Sequence, residues 1–140
     1  MQEILEKAIQ IALDAHRGKI DKGGSPYILH PLRVMLSMET VEEKIVAILH
    51  DVIEDSIVTI DDLRAENFSE RILEALEPLT KKVHQSYEEY ILAIKYNQLA
   101  KEVKIADLQD NMDIKRLNML TAKDIERIKK YRNAYDILNK

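Results

Sequence analysis

The sequence predicts an all-α fold, a single multi-helix bundle, on three observations. Apolar residues recur at helical spacing through most of the chain, and alternating runs bounded by turn residues, the mark of strands, do not. Only three glycines and three prolines punctuate the 140 residues, and two of the glycines adjoin in "DKGGSP". No internal repeat, low-complexity tract or linker divides the chain, so residues 1–140 read as one domain large enough to bury a core.

The elements follow in order. "QEILEKAIQIALDAH" places Leu5, Ala8, Ile11, Ala12 and Ala15 on one stripe, with Gly18 as the stop. Residues 19–28 form a loop, and Pro31 opens the next helix with His30 extended at its cap. "TVEE", "TIDD", "SYEE" and "TAKD" have capping-box spacing, which starts helices after Thr40, Thr59, Ser86 and Thr121. Ser69 caps "ERILEALEPLTK", in which Ile72, Leu73, Leu76 and Leu79 are the buried face and Pro78 ends or kinks the helix. Leu99 to Met112 continues the pattern, and residues 122–138 form a charged closing helix. Met35, Met38, Met112 and Met119 read as core filler.

Composition narrows the function. With no cysteine, disulfides and thiolate metal sites are excluded, and a cytoplasmic setting is expected. A net charge of −4 argues against a general nucleic-acid binder, yet a local Lys/Arg cluster can still serve a small phosphorylated ligand. No apolar run approaches the roughly 20 residues of a membrane span, and no signal-peptide pattern opens the sequence. Oligomeric state is not specified.

The unusual stretch is "AILHDVIEDS", residues 47–56, read as one helix. His50 and Glu54, and Asp51 and Asp55, lie four apart and stack on one side of an otherwise apolar segment. In "EVKIADLQDN", Lys104, Asp107 and Asn111 share a face in the same way. Three helices therefore each offer metal-capable groups: His30, the pair His50 and Asp51, and Asp107. Two imidazoles and two carboxylates without sulfur suit Mn, Fe(II), Zn, Ni or Co, and Glu54 and Asp55 lie where they can orient water or move its proton. The plain alternative is a solvated acidic stripe. His16 reads as a helix-end residue interacting with free carbonyls, and His84 as an exposed loop residue.

Taken together, "AHRGKIDKGGSPYILHPLRV", "AILHDVIEDS", "LTKK" and "VKIADLQDNMD" resemble, in order and spacing, the hydrolase domain of bifunctional alarmone synthetase/hydrolases and the small stand-alone alarmone hydrolases, members of the HD-domain phosphohydrolase superfamily. The match runs from about residue 1 to 117. The resemblance implies an HD-domain helical bundle that binds one divalent ion, Mn(II) in type, through His30, His50, Asp51 and Asp107. Glu54 and Asp55 match the acidic pair that handles the attacking water, and Asn111 matches a residue close to the substrate. The reaction implied is removal of pyrophosphate from the ribose 3′ position of guanosine tetra- or pentaphosphate, a 3′-pyrophosphohydrolase activity. Arg17, Lys22, Lys104 and Lys81 are candidates to meet substrate oxygens.

Two departures stand out. Asp21-Lys22-Gly23-Gly24 stands where the family has a sequence like Arg-Lys-Ser-Gly, so an acid replaces an arginine that would engage the nucleotide. Asp110 and Asp113 flank Asn111 where the family tends to show His and Arg. Asp21 and Asp110 suggest one alternative, an HD hydrolase of another nucleotide or phosphomonoester; two others stand apart from them, a non-catalytic metal- or nucleotide-binding module and a helical interaction domain whose acids are a solvated stripe.

Overall fold

The computed structural model, which describes residues 2–140, starts helices at the expected caps. The described residues form α1 (Gln2–Ala15), α2 (Leu29–Leu36), α3 (Val41–Leu49), α4 (Val52–Asp55), α5 (Ile60–Ala65), α6 (Glu70–Leu79), α7 (Tyr87–Lys95), α8 (Gln98–Asn111) and α9 (Ala122–Leu138), with a 3₁₀ turn at Ile114–Arg116. Thr40, Thr59, Ser86 and Thr121 each complete a reciprocal capping box, with Glu43, Asp62, Glu89 and Asp124 as the returning acids. The Ser69 hydroxyl accepts from the Ile72 N–H, and α6 runs one residue past Pro78 before stopping. Gly18, at φ +80°, ends the turn that follows α1. Among the described residues the β content is a lone bridge between Ile20 and Pro26.

The centre of the bundle is α3. Ile45, Val46, Ala47, Ile48 and Leu49 are all fully buried, because α3 packs against α1, α2, α6 and α8 at once. In turn, α9 lies on α7 and α8. The second half of α3, enclosed by these neighbours, has no polar stripe, which explains the unbroken apolar run over residues 45–49. None of the described helices is long and apolar enough to cross a membrane.

Three expectations are corrected. First, "AILHDVIEDS" is not one helix. The Ala47 carbonyl accepts from the His50 N–H at 3.4 Å and from the His50 ring Nδ1 at 2.6 Å, so α3 stops and Asp51 bends the chain before α4. Second, α2 begins at Leu29, which places His30 and Pro31 in its first turn. A proline is tolerated there because first-turn N–H groups have no helical partner. Third, Met119 is 76% exposed, since it lies in the irregular segment after the 3₁₀ turn rather than on a helix face.

Candidate metal centre

The loop before α2 is a small knot. Asp21 Oδ1 accepts from the N–H groups of Gly23 and Ser25, both at 2.9 Å, and the Tyr27 N–H reaches back to the Lys19 carbonyl at 2.8 Å. The acid at position 21 is thus used by its own backbone. Gly24 takes φ +87°, and Gly23 lies so close to the Arg116 carbonyl that any Cβ there would overlap it. This packing brings residues 21–24 against the segment after α8.

Behind the loop, three helices deliver their polar side chains to one point. His30 Nδ1 lies 2.6 Å from Asp110 Oδ2, and its Nε2 lies 2.7 Å from Asp107 Oδ1. His50 Nε2 lies 3.1 Å from the same oxygen. A backbone carbonyl only accepts, so the bond to Ala47 fixes the proton on His50 Nδ1. Asp110, itself held by Arg33 at 2.8 and 3.0 Å, does the same for His30. Both rings therefore turn their anchored nitrogen outward and their free one inward, the arrangement that orients metal-binding histidines. The other Asp107 oxygen accepts from the Lys104 ammonium at 2.8 Å, and Asn111 donates to Oδ1 at 3.2 Å. His30, His50 and Asp107 are 5%, 6% and 3% exposed, so this is an interior charge cluster.

Asp51 adjoins it. Its Oδ2 accepts from the Tyr27 hydroxyl and lies 3.7 Å from His50 Nε2, and its Oδ1 is 3.2 Å from His16 Nε2. That last approach lacks the alignment of a hydrogen bond, although the contact is close.

The electrostatics match the donor chemistry. Burial penalises a charged His50, but Asp51 and Asp107 outweigh it and hold its pKa up at about 9. His30 is raised too, by Asp107 and Asp110 against burial. Asp107 is driven well below the carboxylate range, because Lys104 and the histidines overcome its desolvation. The direction of both shifts favours positive charge on the two rings beside the carboxylates. A divalent ion at the same point would supply the same charge, and His30, His50 and Asp107 can hold one. The donor set fits Mn(II), Fe(II) or Zn(II).

Beside His30 opens a cavity of ≈ 360 Å³ whose walls include Lys22, Tyr27, Asn111, Arg116 and Arg127. Of the residues expected to meet substrate, Lys22 and Asn111 line it. Arg17 does not; it is exposed and bonded to Asp14 at 2.7 Å. Lys104 is 8% exposed and serves Asp107 from behind, because α8 presents it to the interior beside Tyr90. The exposed Glu54 accepts from the Lys81 N–H, and the Asp55 carboxyl is pushed up by burial and by Asp51. His84 is exposed as expected. His16 is not a cap: it is 2% exposed and neither ring nitrogen has a hydrogen-bond partner. Sequence reasoning also gave no role to Tyr27 or to the cavity residues Arg116 and Arg127, and treated Asp110 as a departure. Its i+3 spacing from Asp107 was the available signal.

No family model matches the chain. A guanosine-3′,5′-bis(diphosphate) 3′-pyrophosphohydrolase from Aquifex aeolicus is 31% identical over 122 residues, covering 79% of this chain and 17% of that protein. The like-named protein of Vibrio cholerae is 38% identical over 86 residues, covering 56% of this chain and 12% of its own length. The chain thus spans less than a fifth of these relatives. Among solved structures, a metazoan orthologue of SpoT described as hydrolysing ppGpp superposes with a TM-score of 0.79 at 20% identity, covering 96% of this chain and 85% of that one. The resemblance read from the motifs thus extends to homology with a segment of the pyrophosphohydrolases, and the all-helical fold is shared with the metazoan protein.

Proposed function

We propose that this homologue of the alarmone pyrophosphohydrolases acts, over residues 1–140, as an HD-type metal-dependent phosphohydrolase, and that it releases pyrophosphate from the ribose 3′ position of guanosine tetra- or pentaphosphate. The observation that carries the reading is the convergence of two anchored imidazoles on one buried carboxylate oxygen, 2.7 and 3.1 Å away. His30, His50, Asp51 and Asp107 would hold the ion, Mn(II) by the family resemblance. A bound divalent ion supplies Lewis acidity and a more acidic water near neutral pH.

The chain's own groups do the rest. Asp110 and the Ala47 carbonyl fix the two rings, and Lys104 holds Asp107. Tyr27 fixes Asp51 by its hydroxyl. Asp55, its carboxyl raised above the usual range, is suited to accept a proton from the attacking water, with Glu54 as its partner. Lys22, Arg116 and Arg127 supply positive charge for phosphate oxygens in the cavity, and Asn111 links the cavity to Asp107.

The test is pyrophosphate release from guanosine tetraphosphate by Mn(II)-loaded protein, beside a panel of other nucleotides and phosphomonoesters. Release is expected from the parent and lost in His50→Ala and Asp51→Ala. Turnover of another compound with none of the tetraphosphate would overturn the substrate assignment and leave the hydrolase. Bound metal and nucleotide without turnover, indifferent to Glu54→Gln, would make the chain a binding module.

A further inference from the structure

A second imidazole–carboxylate cluster lies beyond Asp51. The His16 side chain is fully buried, directly after α1, against the Tyr27 ring at 5.0 Å. Both His16 nitrogens and Asp51 Oδ1 are buried without hydrogen-bond partners, although His16 Nε2 and that oxygen are only 3.2 Å apart. Ligand atoms of His16, Asp51 and Asp55 all lie within 4.8 Å of one another. Asp51 directs its two oxygens to different neighbours, Oδ1 to His16 and Oδ2 towards His50. Burying polar atoms without partners is costly, and a cation met by His16 Nε2 and Asp51 Oδ1 removes the part of the cost that falls on those two atoms.

We infer that His16, Asp51 and Asp55 form a second divalent-cation site, with Asp51 as a carboxylate shared with the ion of the His30–His50–Asp107 group. This inference rests on the proposed reading of that first group. One imidazole and two carboxylates suit Mn(II), Fe(II) or Zn(II), with water in the remaining positions. Paired ions in phosphate-cleaving sites lie roughly 3.5–4 Å apart, a span that one carboxylate bridges. The positive charge now beside Asp55 is the exposed Lys19 ammonium, bonded to the Asp55 backbone carbonyl at 2.6 Å. Being at the surface, it leaves for solvent easily. The second site changes the assignment of Asp55 from proton acceptor to ligand and leaves the water to Glu54.

The experiment is a Mn(II) titration of the metal-depleted full chain, read by elemental analysis and low-temperature electron paramagnetic resonance. Two ions per chain are expected, with the six-line signal of the first equivalent giving way to a spin-coupled spectrum at the second. His16→Gln and Asp55→Asn should each bind one ion and keep the six-line signal. Asp55 is exposed on α4, so its variant tests the site even if the His16 variant folds poorly. A parent that stops at one ion, or variants that still bind two, overturns the second site alone. A parent that binds none overturns the first site with it.

Discussion

Across the Tyr27 ring, two kinds of buried histidine face each other. His30 and His50 each spend Nδ1 on a fixed acceptor, Asp110 and the Ala47 carbonyl, and aim Nε2 at Asp107. His16 has no such acceptor: it packs on Tyr27, and its Nε2 lies 3.2 Å from Asp51 Oδ1 without the alignment of a hydrogen bond. The difference teaches that burial does not by itself make an imidazole a structural residue. An anchored ring is oriented whether or not an ion is bound. A ring without an anchor carries an unmet demand that only a further group can satisfy.

The contrast breaks most severely at Asp107. Asp107→Ala strands the buried Lys104 ammonium and both imidazoles, so unfolding in urea should show a loss of about 3–5 kcal/mol, together with loss of bound metal. Adding Lys104→Met should recover part of the stability. A loss under ~1 kcal/mol would mean that Asp107 is not the centre of the cluster. Next in size, Asp110→Asn weakens the anchor of His30 and its grip on Arg33. Metal affinity should fall about 10–100-fold, read by competition with a chelator, and an unchanged affinity would mean that Asp110 does not orient the His30 ring for an ion. The smallest effect sharpens the comparison from the other side. In the metal-free protein, His16→Leu deletes polar atoms that have no partners, so stability should move by less than ~1 kcal/mol, whereas His30→Leu should cost about 1–3 kcal/mol because Asp107 and Asp110 lose theirs. Equal costs in the two variants would erase the distinction.

Local chemistry was readable in the sequence because its partners lie three or four residues apart. Thr40 with Glu43, Thr59 with Asp62, Ser86 with Glu89 and Thr121 with Asp124 all cap where their spacing says. The Lys104–Asp107–Asn111 face is real for the same reason, and the three-helix grouping of His30, His50 and Asp107 followed from it. What was not readable depends on a competitor outside the pattern. Helical spacing cannot show that the His50 ring takes the Ala47 carbonyl and breaks the helix. Nor can it show that Asp21 folds onto its own loop, or that Asp110 finds His30 rather than solvent. His16 was hidden because a histidine shortly before a glycine is most simply a helix end, and burial by Tyr27 comes from a different segment.

The separation of the residues that meet at Asp107 has a consequence for the order in which the protein is made. His30 and Asp107 are 77 positions apart, His50 and Asp107 57, and His30 and Asp110 80. Such contacts wait for long loops to close, whereas the capping boxes close over three residues. A nascent chain that has emerged as far as α7 already has both imidazoles and the apolar α3 that should pack first, but no carboxylate from α8 to receive them. The His30–His50–Asp107 group is therefore completed late, when α8 docks, whereas His16, Asp51 and Asp55 have all been made by the end of α4.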